Sequence, residues 1–243
     1  GDLTASDCLN IKGVAEVADP NIVLTKKFHT DRSRIVDFSN HSYHRIFSYK
    51  SFTLHGRFYG PWWQSLKGDE RKHIKINGES TVELDYGSLH VHLAYSKLGI
   101  DYGNDNDPYS LDGFDKSDRD IIKIATLTSL NMRTEKFFSQ TVAKRLLEDG
   151  LYRKDIPYKA IKEAIVLKHR PIKKYFFSGI GLEFMYLDSK VTEYIMKKFT
   201  TQKIPVLSIH DSYIVGKSYK NLLIEIMTSA FRYHKLNSIP VIK

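Results

Sequence analysis

Apolar and polar positions alternate at Val82, Leu84 and Tyr86, the pattern of a strand with one buried face, and Gly87-Ser88 ends it. A helix-like run takes over across 88–98. Upstream, Lys75-Ile76-Asn77-Gly78-Glu79 predicts a tight turn that feeds this strand, so a hairpin is expected there. Further helices are expected over 118–131, with Ser117-Asp118 as its N-cap, and over 134–148, 157–169, 180–200 and 219–235. Two short strands, Ile204 to Ile209 and Tyr213 to Val215, meet at His210-Asp211-Ser212. The pattern describes one α+β unit over 51–243, with a helical insertion at about 105–200 between two acidic strand ends. Residues 1–50 form an N-terminal extension, with a polar lead-in over 1–20 and a basic, aromatic stretch over 22–50.

Composition narrows the function classes. The 243 residues carry a net charge of +9, which favours a polyanionic partner. The single cysteine, Cys8, excludes an internal disulfide and a Cys-rich zinc site, and fits a reducing compartment. No apolar run reaches the length of a membrane span, so no membrane partner is expected, and the chain starts at Gly1 as an excised piece of a longer protein would. Asp101 to Asp107 is rejected as a calcium loop because its Gly and closing Glu are misplaced. There is no Walker-type phosphate loop and no serine in a strand-turn-helix elbow.

Asp85 stands near the carboxyl end of its strand and Asp211 between the two later strands, where both can face an open site. Two carboxylates so placed can hold two Mg²⁺ or Mn²⁺ ions about 3.5–4 Å apart, because Mg²⁺ accepts a few carboxylates completed by phosphate oxygens. On the helix over 118–131, Arg119 and Lys123 are spaced i, i+4 and project from one face, and Leu127 and Asn131 continue that stripe. Cations followed by a small platform suit a triphosphate and its base, and Lys123 could protonate a departing pyrophosphate. The stretch 151–175 holds eight basic residues, among them Lys168, Arg170, Lys173 and Lys174, against two acidic ones, and is expected to meet nucleic acid. Tyr59, Trp62, Trp63, Tyr86 and Tyr109 are the aromatic residues best placed in sequence to stack on bases.

The order of these motifs resembles the superfamily of family A DNA polymerases and single-subunit, phage-type RNA polymerases. Asp85-Tyr86-Gly87-Ser88-Leu89-His90 looks like the first acidic motif of that superfamily, and His210-Asp211-Ser212 looks like the second, with Ser in the form of the RNA polymerases. Arg119, Lys123, Leu127 and Asn131 match the spacing of its fingers helix; Gly56-Arg57-Phe58-Tyr59 and Gln64 are similar to segments upstream of its palm. The resemblance implies a polymerase-type palm, an antiparallel sheet with helices, carrying a reduced helical fingers insertion and no evident thumb. It implies catalysis through Asp85, Asp211 and Lys123, with metal on the two aspartates. Nucleotide binding would involve Arg119, Lys123, Leu127, Asn131, His90, Tyr86 and Arg57, and nucleic-acid contacts Tyr59, Gln64, His210 and the basic stretch.

Departures from the pattern matter. His90 stands where the DNA polymerases have a Glu that reads the sugar, and Asn131 stands where an aromatic ring faces the nucleotide. His90 and His92 are not a zinc pair, since two positions on a helix point roughly 200° apart. With only residues 1–50 left for a thumb, a weak grip and short, primase-like products on a DNA template are expected from nucleoside triphosphates. A helicase or single-strand-binding protein would be a further partner, in the cytoplasm of a bacterial, phage or mobile-element context. The competing readings are a primer-extending DNA polymerase, a decayed nucleic-acid-binding module and a metal-dependent nuclease.

Overall fold

The computed structural model describes residues 15–17, 40–49 and 51–243. Most of the lead-in over 1–20, and residues 22–39 of the basic stretch over 22–50, lie outside the described residues. The chain divides into two compact units, one of residues up to 87 with 186–234 and 242–243, the other of 88–185 with 235–241. The helical insertion was expected at about 105–200; the second unit spans 88–185 and 235–241.

The first unit is built on a five-stranded antiparallel sheet. Its strands are β1 (Ala15–Val17), β4 (Ile74–Ile76), β5 (Glu79–Asp85), β6 (Leu207–Ile209) and β7 (Ser212–Gly216), in the order β1-β4-β5-β7-β6. Strands β2 (His44–Ser48) and β3 (Ser51–Tyr59) form a separate two-stranded hairpin. The β4–β5 turn is Asn77-Gly78 with φ of +52° and +78°, the left-handed pair that the right-handed twist of a two-residue hairpin demands. The strand expected from Ile204 shortens to Leu207–Ile209, because Pro205 cannot donate to a ladder and the Ile204 amide instead closes on the Phe199 carbonyl at 3.0 Å.

Period-2 alternation sends Leu84, Tyr86 and Tyr213 inward, with Tyr86 against Phe231 at 5.0 Å between ring centroids. Helices α6 (Gly181–Thr201) and α7 (Lys220–Tyr233) belong to this unit, α6 from Tyr186 onward. On α6 the positions Val191, Ile195 and Phe199 are fully buried, and on α7 so are Leu223, Met227, Ala230 and Phe231. A one-turn helix, α1 (Gly68–Arg71), precedes β4.

The second unit is helical: α2 (Leu89–Ser96), α3 (Arg119–Asn131), α4 (Phe138–Glu148), α5 (Tyr158–Lys168) and the first residues of α6. Helix α4 starts four residues later than expected, since Lys136 bonds back to the Thr134 hydroxyl and Phe138 to the Glu135 carbonyl in a preceding turn. Helix α2 is buried at seven of its eight positions, so it is a core helix of this unit. Fold class is therefore mixed α+β, with an antiparallel sheet and packed helices. Among the described residues, no helix is long and apolar enough to cross a membrane.

Candidate functional site

The two predicted aspartates lie at adjacent backbone positions. Asp85 ends β5 opposite Ser212, and the Tyr86 amide donates to the Asp211 carbonyl at 3.3 Å. On its other side Asp85 exchanges both backbone hydrogen bonds with Lys243, at 2.9 and 3.2 Å. Asp85 and Ser212 therefore form a non-hydrogen-bonded pair, the kind whose Cα atoms come within about 4.5 Å. Asp211 is the second residue of a two-residue β6–β7 turn, and His210, the first, takes φ of +55°. That left-handed conformation costs a β-carbon-bearing residue energy and is held only where neighbours fix it.

Helix α6 supplies those neighbours through the stripe Asp188, Thr192, Met196. The Thr192 hydroxyl donates to the His210 carbonyl at 3.1 Å, so the Tyr213 hydroxyl, 2.8 Å away, donates to Thr192. One turn earlier, Asp188 Oδ2 accepts from Arg57 Nε at 2.6 Å, and Asp188 is completely buried. The adjacent stripe Ser189, Glu193 takes Arg45 of β2, with Nη2 donating to Ser189 at 2.8 Å and Nη1 lying 3.6 Å from Glu193. The β2–β3 hairpin and the His210–Asp211 turn are thus fixed from the same helix face.

Electrostatics follow from this enclosure. Burial works against the Arg57 charge, but the carboxylates of Asp188 and Asp211 outweigh it and raise its pKa. Asp188 is pushed up by burial, pulled down by the Arg57 charge, and pushed up again by the like charge of Asp211, ending at about 6. His210 is lowered to about 4 by burial and then by Arg57, against the pull of Asp211, so it is neutral at pH 7. Its ring lies 5.0 Å from Tyr59, whose hydroxyl is 3.0 Å from His55 Nε2. Arg57, Tyr59, His210 and Asp211 lie in one neighbourhood. Asp188 was missed. Its signal was an acid in the apolar stripe Phe184, Val191, Ile195, Phe199, where a carboxylate is costly without a partner.

Several aromatic and amide candidates turn out to serve the fold. Tyr86 was expected at the nucleotide; alternation puts it on the inward face instead, 2% exposed, with its hydroxyl on the Met227 carbonyl at 2.7 Å. Trp62, Trp63 and Tyr109 are likewise buried, at 3%, 1% and 1% exposure, and offer no stacking surface. Gln64 was expected at nucleic acid, but its amide nitrogen donates to the Phe58 and Ser208 carbonyls at 3.1 and 3.0 Å and its oxygen accepts from Gly60 at 3.2 Å. The reason is the sheet edge. Ser208 faces Tyr213 in a non-hydrogen-bonded pair, so its amide and carbonyl point away from β7. Tyr43 takes the amide at 2.8 Å, while Trp63 and Gln64 take the carbonyl. The Trp-Trp-Gln turn closes an edge that would otherwise be open to foreign strands.

In the helical unit, Arg119, Lys123, Leu127 and Asn131 form the accessible stripe of α3, opposite the buried Ile121, Ile122, Ala125 and Leu130. Arg119 is held by Asp107 in a two-pronged pair, 2.5 Å at Nε and 3.1 Å at Nη2, with its guanidinium 5.4 Å from the Tyr109 ring centre. Lys123 is exposed. Asn131 donates to the Leu127 carbonyl at 2.6 Å, and a Cβ at Gly181 would lie 2.0 Å from its oxygen, so this amide locks the end of α3 to the start of α6. The His90 ring packs 5.8 Å from Phe184.

His169, fully buried, donates from Nε2 to the Pro108 carbonyl at 2.9 Å; its Nδ1 therefore accepts from the Tyr95 hydroxyl at 3.2 Å. Burial lowers its pKa to about 4. Immediately after it, Arg170, Lys173 and Lys174 are exposed on one 3-10 turn, with Lys168 half-buried beside them.

Among the described residues, no group of three His, Cys, Asp or Glu side chains is gathered to hold a metal ion. No family model and no curated protein matches the chain. Among solved structures it is similar to the polymerase domain of Pol1 from M. smegmatis in complex with DNA primer-template and dNTP. That likeness has 11% identity and a TM-score of 0.40, and covers 78% of this chain and 45% of the other.

Proposed function

We propose that the chain is a template-directed nucleotidyltransferase that joins nucleotides with the help of two divalent ions and makes short, primase-like products on DNA. One observation carries this reading: two carboxylates stand at neighbouring strand ends of an antiparallel sheet, one of them on a turn braced by α6. The donor set fits Mg²⁺, which takes one or two carboxylates and completes its shell with water and phosphate oxygens, so no third protein ligand is needed. Asp85 and Asp211 would hold the ions, and when bound these would lower the pKa of an attacking 3′ hydroxyl and neutralise the triphosphate. Lys123 is the exposed cation of the α3 stripe, suited to protonate the leaving pyrophosphate, and Arg119 to bind the phosphates after exchanging Asp107 for them. The exposed Arg170, Lys173 and Lys174 suit a nucleic-acid backbone. Asp188 joins the site as the partner of Arg57.

The test is incubation with single-stranded or primed DNA, Mg²⁺ or Mn²⁺, and rNTPs or dNTPs supplied separately. Primer-independent growth supports the primase form, and growth only from a primer supports a primer-extending DNA polymerase. The pairing of Arg119 with Asp107 and the bond of the Asn131 amide to the Leu127 carbonyl favour a second reading, a binding module without chemistry. It predicts salt-sensitive DNA binding with no product under any of these conditions.

A further inference from the structure

We propose that Asp188 is a positioning residue whose carboxylate holds the Arg57 guanidinium off Asp211 and so leaves Asp211 available to a divalent cation. This rests on the metal reading of Asp85 and Asp211 given above.

One cation here serves two carboxylates. Arg57 donates Nε to Asp188 at 2.6 Å. Two residues along β3, the Tyr59 ring packs 5.0 Å from His210, the neighbour of Asp211, and the charge of Asp211 bears on the same guanidinium. Asp188 is completely buried, and among the described residues its Oδ1 has no hydrogen-bond partner, so its side-chain hydrogen bonding goes to Arg57 alone. A side chain kept in the core at the cost of one unsatisfied oxygen, with a single hydrogen-bond partner, is placed for that partner. The other titratable groups beside the guanidinium are His55, Tyr59 and His210, and a histidine, neutral or cationic, and a tyrosine carrying its proton offer no countercharge. Without the charge at position 188, the remaining anion facing Arg57 is Asp211, and a paired Asp211 competes poorly for a metal ion.

A purely structural role would act differently, since loss of the buried pair would loosen α6 from β3 whichever partner was removed. The two are separated by Mn²⁺ binding, followed by the electron paramagnetic resonance of the free ion, on the whole chain with folding checked by circular dichroism. Asp188→Asn keeps an oxygen for Arg57 Nε but drops the charge, and is expected to weaken Mn²⁺ binding roughly tenfold. Arg57→Gln should bind Mn²⁺ as tightly as the wild type or tighter, and the neutral double variant Asp188→Asn/Arg57→Gln should recover wild-type binding. Asp211→Ala should abolish binding. Wild-type binding in Asp188→Asn alongside loss in Asp211→Ala would overturn the inference alone, as would weakened binding in Arg57→Gln or a double variant no better than Asp188→Asn. Unchanged binding in Asp211→Ala would remove the metal reading and the inference with it.

Discussion

Arg57–Asp188 in the sheet unit and Arg119–Asp107 in the helical unit are built from the same atoms at the same range, Nε to Oδ2 at 2.6 and 2.5 Å. Their surroundings differ. The first pair is 15% and 1% exposed at its side chains, the second 39% and 33%. A buried pair cannot lose one member without stranding a charge in the core, whereas a half-exposed pair trades one anion for another against a background of water. The first is therefore fixed structure that shapes the field at Asp211. The second is a half-exposed pair whose cation can exchange its anion. Side-chain exposure, more than bond length, separates the fixed pair from the exchangeable one.

The comparison breaks first at Arg57. Arg57→Met leaves Asp188 buried without its partner and should cost about 3–5 kcal/mol in urea unfolding; a loss under 1 kcal/mol would mean the pair is no more than a surface contact. Next comes acid. His169 is neutral when folded, with a pKa of about 4 against an ordinary 6.5, so the unfolded chain binds its proton more readily. Its contribution is complete above pH 6.5 and falls as the pH drops towards 4, by about 3 kcal/mol. His92, also lowered to about 4 by burial, acts in the same direction. Urea midpoints that stay flat between pH 7 and 4.5 would contradict this.

Smaller effects test the helical unit. Gly181→Ala drives a methyl into the Asn131 oxygen and should cost about 1–3 kcal/mol, with most of it regained in Gly181→Ala/Asn131→Ser. An unaltered melting temperature in the single variant would show that Asn131 moves freely. Asp107→Asn should change stability by about 1 kcal/mol or less. It should nonetheless tighten nucleoside triphosphate binding a few fold, roughly, by releasing Arg119. Weaker binding would make Asp107 part of the nucleotide site rather than its competitor.

Local pattern carried the strand and helix positions because period and turn chemistry are short-range. Asn77-Gly78, the Tyr86 strand and the α3 stripe were all legible from a few neighbouring residues. What a side chain does depends on what the fold places opposite it, and there the reading failed where partners are distant in sequence. Gln64 and Trp63 meet Ser208 across 144 and 145 positions, and nothing near them announces a sheet edge. Asp188 meets Arg57 across 131 positions. Only its presence in an apolar helical stripe hinted at it. Tyr86 was misassigned for a simpler reason, since the alternation that identified its strand also fixed its side on the inward face.

The most direct measurement of the central claim is strand growth on DNA with labelled nucleotides in Mg²⁺ or Mn²⁺, comparing the wild type with Asp85→Ala and Asp211→Ala. Two carboxylates holding the ions that stabilise several kcal/mol of developing charge predict a drop of about a thousandfold or more in either variant, with DNA binding retained. Products of equal length and yield from all three proteins, or strands that shorten instead of growing, would contradict it.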